Sequence, residues 1–147
     1  MEENGQLHID ATAKAFLKEA AKWAYFLSIL GFIGVALIAV AALFASSAMS
    51  AISSMGGSVG PMGALSGTVI TVIYLLMALL YFFPIYYLFK FSSNLKLALA
   101  HDNNEALNVS LGFLKSHYKF VGILAIVMMC IYALFIIAII GFATAMA

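Results

Sequence analysis

Charge is what this sequence has least of. Only 9% of its 147 residues are Asp, Glu, Lys or Arg, against 65% hydrophobic, where soluble domains carry about 25% charged and roughly 45–50% apolar residues. A chain so composed has too little polar surface to cover itself in water, and its apolar segments are expected to divide a bilayer instead. The formal net charge of +1 leaves no basic surface for nucleic acid, and no long charge run reads as a binding tail. One cysteine, Cys130, excludes an internal disulfide; in the middle of an apolar segment its thiol is expected to pack as a small hydrophobe. The start, Met1-Glu2-Glu3-Asn4-Gly5-Gln6, lacks the basic n-region of a secretory signal, so the first apolar segment is expected to be retained as a span. Asn108-Val109-Ser110 matches a glycosylation sequon, but falls on the side assigned below to the cytoplasm.

The longest uncharged stretch lies between Lys22 and Lys90, and a Gly/Ser/Met-rich connection at 46–67 divides it into apolar segments at 24–45 and 68–89. A helix of such length is roughly 33 Å long, enough for a hydrocarbon core of about 30 Å. A third segment covers 120–142; from Val121 to Gly141 twelve residues are Val, Ile, Leu or Phe, each favouring insertion by roughly 0.3–0.6 kcal/mol near the bilayer centre. The predicted fold is an all-α integral membrane protein with three transmembrane helices, with two cytoplasmic amphipathic helices leading into spans one and three.

All seven lysines fall on one side of this arrangement: Lys14, Lys18 and Lys22 before span one, and Lys90, Lys96, Lys115 and Lys119 in the 90–119 connection. The positive-inside bias therefore predicts a cytoplasmic amino terminus and connection, and a carboxyl terminus on the far side. Over 8–22, Asp10 or Thr12 can cap a helix whose apolar face gathers Ala13, Phe16, Leu17, Ala20, Trp23 and Leu27, with the lysines opposite. Lys14, Lys18, Lys22 and Trp23 are read as interface anchors to the lipid, as are Tyr86, Tyr87, Lys115 and Lys119. His101-Asp102-Asn103-Asn104-Glu105 reads as a turn and helix start, followed by Leu107, Leu111, Leu114 and Tyr118 at helical spacing. Phe16-Leu17-Lys18 with Lys22-Trp23 and Phe113-Leu114-Lys115 with Lys119-Phe120 share one pattern at a separation of 97 residues, the signature either of a parallel repeat or of two similar membrane entries.

The predicted spans contain no Asp, Glu, Lys, Arg or His, which argues against an ion-coupled pump. Small residues do line them: Ser28, Gly31, Ala39, Ala42 and Ser46 in span one, and Gly122, Ala125 and Ala133 in span three. Such stripes let helices approach closely, within one chain or between chains. In span two Pro84 removes a backbone donor among Tyr81, Phe82, Phe83, Tyr86 and Tyr87. Met49, Met55 and Met62 lack the cysteine or histidine that would recommend them as soft metal ligands. His8, His101 and His117 are expected at the surface, without paired acids or a nucleophile motif. No catalytic residue, metal ligand or cofactor is assigned.

The segments Ala21-Lys22-Trp23-Ala24-Tyr25-Phe26-Leu27, the Met/Gly/Ser connection, Thr71-Val72-Ile73-Tyr74-Leu75 through Tyr81-Phe82-Phe83-Pro84, and Leu114-Lys115 with Tyr118-Lys119-Phe120 together resemble a family of small bacterial membrane proteins of Bacteroidota type, classed as a domain of unknown function. The resemblance spans almost the whole chain; it implies a bacterial inner membrane and supplies no activity or functional residues. The expected role is that of a non-enzymatic subunit packing against itself or a larger membrane protein. The alternative is a homo-oligomeric pore for a small solute or ion, lined by Thr68, Thr71 and Tyr74.

Overall fold

The computed structural model describes residues 9–56 and 67–145. They form three helices, α1 (Ala11–Ser54), α2 (Gly67–His101) and α3 (Asn104–Ala145), of 44, 35 and 42 residues. At about 1.5 Å per residue these are roughly 66, 53 and 63 Å long, each well over a hydrocarbon thickness of about 30 Å. Each contains a stretch long and apolar enough to cross a membrane.

Helix α1 is capped by Asp10, whose carboxylate accepts from the Ala11 amide at 2.7 Å while its carbonyl accepts the first helical bond, from Lys14, at 2.9 Å. From there it runs without a break through the lysines and into the apolar segment. It also continues past residue 45, because the serines of the Gly/Ser/Met connection return their hydroxyls to their own helix: Ser47 to the Phe44 carbonyl and Ser50 to the Ser46 carbonyl, both at 2.9 Å. Gly56, at φ 72°, follows its end, the left-handed position that glycine occupies without steric cost. Most of the remaining connection, with Met62, lies outside the described residues.

The 90–119 segment, expected as a connection containing one amphipathic helix, is helical almost throughout. Helix α2 continues to His101 because Phe91, Leu95 and Ala98 recur on one face and are all buried. The reversal takes place at Asp102 and Asn103. Asp102 takes the left-handed conformation at φ 46°, and the Asn103 amide reaches back to the Ala98 carbonyl at 3.0 Å, closing a Schellman-type end. The Asn103 side chain then caps α3, accepting from the amides of Glu105 at 2.9 Å and Ala106 at 3.2 Å.

Both neighbours run antiparallel to α2. Tyr25 meets Phe89 (5.6 Å between ring centroids) at one end of the α1–α2 pair, and Thr71 reaches Ala42 at the other. Helix α3 returns along α2 as far as Phe120, which packs on Phe83 at 6.1 Å. Beyond it, from 121 to 144, every side chain except Leu124 is exposed.

The buried core therefore sits where all three helices meet, at the lysine-bearing end. It comprises Ala21, Phe91 and Leu95, flanked among others by Leu17, Leu107 and Leu114. The face α1 turns inward is Ala13, Leu17, Ala21, Ala24 and Ser28, whereas Phe16, Ala20, Trp23 and Leu27 of the expected apolar face point outward. The small side chains win the inner face because they admit α2 closely. On α3, similarly, Leu107, Ser110, Phe113 and Leu114 face inward, while Leu111 and Tyr118 are exposed. The two copies of the 97-residue-spaced pattern thus both supply a leucine to the core, Leu17 and Leu114, but Phe16 is exposed where Phe113 packs.

Truncating the fully buried Leu95 to alanine is expected to lower stability by about 2–5 kcal/mol. Leu97→Ala, at a side chain 53% exposed, should stay within about 0.5 kcal/mol. Thermal unfolding of both variants in detergent, followed by helical circular dichroism, checks the difference.

Candidate functional site

Two regions concentrate the residues singled out by the sequence: a seam of small residues between α1 and α2, and the charged, aromatic end around the Asp102 turn.

In the seam, Ser28 and Ala42 are fully buried, and Gly31 and Ala39 are partly so. A Cβ on Gly31 would lie 2.9 Å from Cγ1 of Ile85, and one on Gly67 would lie 3.0 Å from Cα of Ser46. Glycine thus permits the close approach at both positions, where any Cβ would force Ile85 or the Ser46 backbone to shift. The Thr71 hydroxyl lies 2.9 Å from the Gly67 carbonyl and 3.1 Å from the Ala42 carbonyl, and its single proton serves either. Thr71 is thus a rivet between helices rather than an outward-facing group; of the three residues named for a pore lining, only Thr68 and Tyr74 remain exposed. The small stripes of spans one and three are not brought together. Span one's stripe packs on α2, while among the described residues beyond Phe120 only Leu124 of α3 is even partly buried. Gly122, Ala125 and Ala133 are consequently exposed, with nothing within 4 Å of a Cβ at Gly122. Cys130, expected to pack, is exposed as well, since its stretch of α3 has no neighbour.

Buried polarity here is structural. Ser28, Ser92 and Ser110, all fully buried, donate to the carbonyls of Tyr25, Phe89 and Leu107 in their own helices at 2.7–2.8 Å. They act as small, self-satisfied spacers at helix contacts. Among the described residues no buried side-chain nitrogen or oxygen is left without a partner, and no three His, Cys, Asp or Glu side chains gather.

The charged end is more organised than its sequence suggested. Lys14 pairs with Asp102, so the first turn of α1 is tied to the α2–α3 reversal. The hydrogen bond from Lys14, together with its positive charge, holds the Asp102 carboxyl below its ordinary pKa, against a weak opposing effect of burial. Lys18 and Lys22 line a cavity of about 310 Å³ with Lys96 of α2, floored by Ala21, Leu99 and Ala100. Lys96 lies over the Tyr25 ring, 3.6 Å from its centroid, a cation–π contact that fixes where its ammonium sits. Trp23 meets Phe26 edge-on at 6.2 Å, Tyr86 stacks on Phe82 at 6.1 Å, and Tyr87 lies edge-on to Tyr86 at 6.2 Å. Lys90 sits 5.8 Å from the Tyr86 ring, whereas Lys115 and Lys119 are exposed without such contacts.

His117, expected at the surface, is half-buried, and its Nδ1 lies 2.8 Å from the Pro84 carbonyl, which fits an Nδ1–H donor. Helix α2 passes through Pro84 unbroken, and His117 ties α3 to it by donating to the Pro84 carbonyl, one turn beyond the Leu80 carbonyl whose helical donor the proline removes. His101 is exposed at the end of α2; His8 lies outside the described residues. The partnerships of Lys96, Tyr25, Asp102, His117 and Pro84 left no local sequence signal, because each joins residues at least 33 positions apart.

Two outcomes follow from this geometry. Gly31→Leu is expected to cost about 1–3 kcal/mol by wedging α1 from α2, while Gly34→Ala, whose Cβ would meet nothing within 4 Å, should leave the melting temperature unchanged or slightly raised. For Asp102 the folded-state pKa is depressed, so its contribution is present above the unfolded value of about 3.9 and lost as pH falls through the folded value. Melting temperatures recorded from pH 6 down to pH 3 should therefore fall more for the wild type than for Asp102→Asn, by a small margin because the pair is solvent-screened.

No protein-family model, curated protein or solved structure matches the chain, so its candidate sites rest on its own geometry.

Proposed function

We propose that the chain is a multi-pass membrane protein of the bacterial inner membrane, with its lysine-bearing end in the cytoplasm, that works as a non-enzymatic packing subunit of a larger membrane complex. The one-sided placement of its lysines supports the orientation, since cytoplasmic flanks retain Lys and Arg. The distribution of burial supports insertion. Among the described residues the largest buried cluster lies near Leu95, while most large apolar side chains along the rest of the helices point outward, as expected where water drives packing at one end and lipid solvates the other.

The observation that carries the packing role is the distal half of α3. It holds Gly122, Ala125 and Ala133 in an exposed apolar stretch alongside an α1–α2 pair that is already closed. Small residues permit a close helix contact that this chain does not make with itself, and a neighbouring transmembrane helix, from a second copy or another subunit, would complete it.

The test is the mass of the complex extracted gently from native membranes through a tag on the amino terminus. The proposal expects a discrete assembly larger than the 15.7 kDa chain, and Gly122→Leu combined with Ala125→Leu should dissociate it while leaving helical content unchanged. A wild-type chain that extracts only as a monomer, or an assembly indifferent to both substitutions, would sink this assignment.

A further inference from the structure

The cavity between α1 and α2 places three lysine side chains, Lys18, Lys22 and Lys96, around an apolar floor of Ala21, Leu99 and Ala100. Lys18 and Lys22 stand one turn apart on α1, and Lys96 enters from α2. Three lysine side chains around one cavity of about 310 Å³ form a cationic rim that an anion would neutralise. Among the described residues the one ion pair is Lys14 with Asp102, which lies outside this cavity. Glu19 lines the adjoining trough rather than the cavity itself, and no acid is among the described residues that line the cavity. Lys96 is not a freely sweeping side chain either, since the Tyr25 ring holds its ammonium.

The shape of the surroundings indicates what sort of anion fits. Next to the cavity, Lys18, Lys22, Trp23 and Phe26 line an open trough of about 700 Å³, in which the two aromatic side chains are 61% and 56% exposed. An anionic group in the cavity would therefore have an apolar surface directly alongside, leading toward the apolar segment of α1. The rise from Lys18 to Lys22 is about 6 Å, comparable with the headgroup layer of roughly 5–8 Å on each side of a bilayer. On these grounds we infer that the Lys18–Lys22–Lys96 cavity binds the phosphate of an anionic phospholipid, with Trp23 and Phe26 against its acyl chains. This inference rests on the membrane placement proposed above. Each of the three ammonium groups donates to phosphate oxygens, and a zwitterionic lipid is disfavoured because its own ammonium adds to the cationic cluster.

Trp23 is the single tryptophan of the chain and lies at the trough, so it reports occupancy directly. The full-length protein is reconstituted in phosphatidylcholine vesicles, and phosphatidylglycerol with brominated acyl chains is titrated in, with brominated phosphatidylcholine as the comparison. Quenching of Trp23 is expected at several-fold lower mole fraction of phosphatidylglycerol. Lys96→Gln should reduce that preference about fivefold, the effect of roughly one lysine near an anionic surface, whereas Lys96→Arg should keep it. Lys115→Gln with Lys119→Gln, which removes two lysines outside the cavity, should reduce it distinctly less than Lys96→Gln alone.

Equal quenching by the two lipids overturns the site, as does an equal loss from the Lys115 and Lys119 substitutions, which would mean general attraction to charge. Displacement of phosphatidylglycerol by inorganic phosphate at equal concentration, with ionic strength held constant, overturns the lipid assignment in favour of a free anion. Recovery of the wild-type protein in the alkaline-carbonate wash of the vesicles would instead refute membrane insertion itself, and so separates failure of the placement from failure of the site.

Discussion

The lysine-bearing end of this protein depends on a reversal confined to Asp102 and Asn103. Asp102 supplies the left-handed residue that ends α2, and Asn103 both closes that end and caps α3. Because so little chain separates the helices, α3 must return along α2, and its first turns are delivered to Leu95 and Phe91. Lys14 then attaches α1 to the same turn through Asp102. The α3 side of the core, the Pro84–His117 bond and the antiparallel return of α3 follow from where that turn is placed.

The two halves of the molecule use different physics. Near Leu95, large apolar side chains are brought together out of water, with buried serines serving as spacers. Farther along, α1 and α2 associate through glycine, alanine, serine and threonine beside the Phe32–Phe82 ring contact, at a separation so short that a methyl group on Gly31 would collide with Ile85. Small-residue contacts of this sort are the usual basis for helix association in lipid, where burying leucine gains little over leaving it among acyl chains. The distal half of α3 has neither type of contact and presents an apolar surface all round, which lipid or another helix can cover.

The lysines divide along similar lines. Lys14 is a structural tie, Lys96 is positioned by an aromatic ring, and Lys18 and Lys22 join Lys96 at a shared cavity, while Lys115 and Lys119 remain independent. Lysines that the sequence groups together thus take several different local roles. The basic cavity and the small-residue face of α3 lie at opposite ends of the structure.

The sequence by itself determined that there are three long apolar helices, where the charged residues fall along them, and that a reversal lies near Asp102, because hydrophobic runs, missing charges and turn-forming side chains are local properties. It also showed which positions are small enough for close packing. The continuation of α2 to His101 was obscured because Lys90 and Lys96 interrupt an apolar pattern whose inner face, Phe91, Leu95 and Ala98, is recognisable only against its neighbours. Which stripe pairs with which helix, which lysines converge, and which histidine reaches Pro84 were decided by tertiary structure alone. Those contacts join residues far apart in the chain, and their partners are selected by the close fit of one helix surface against another.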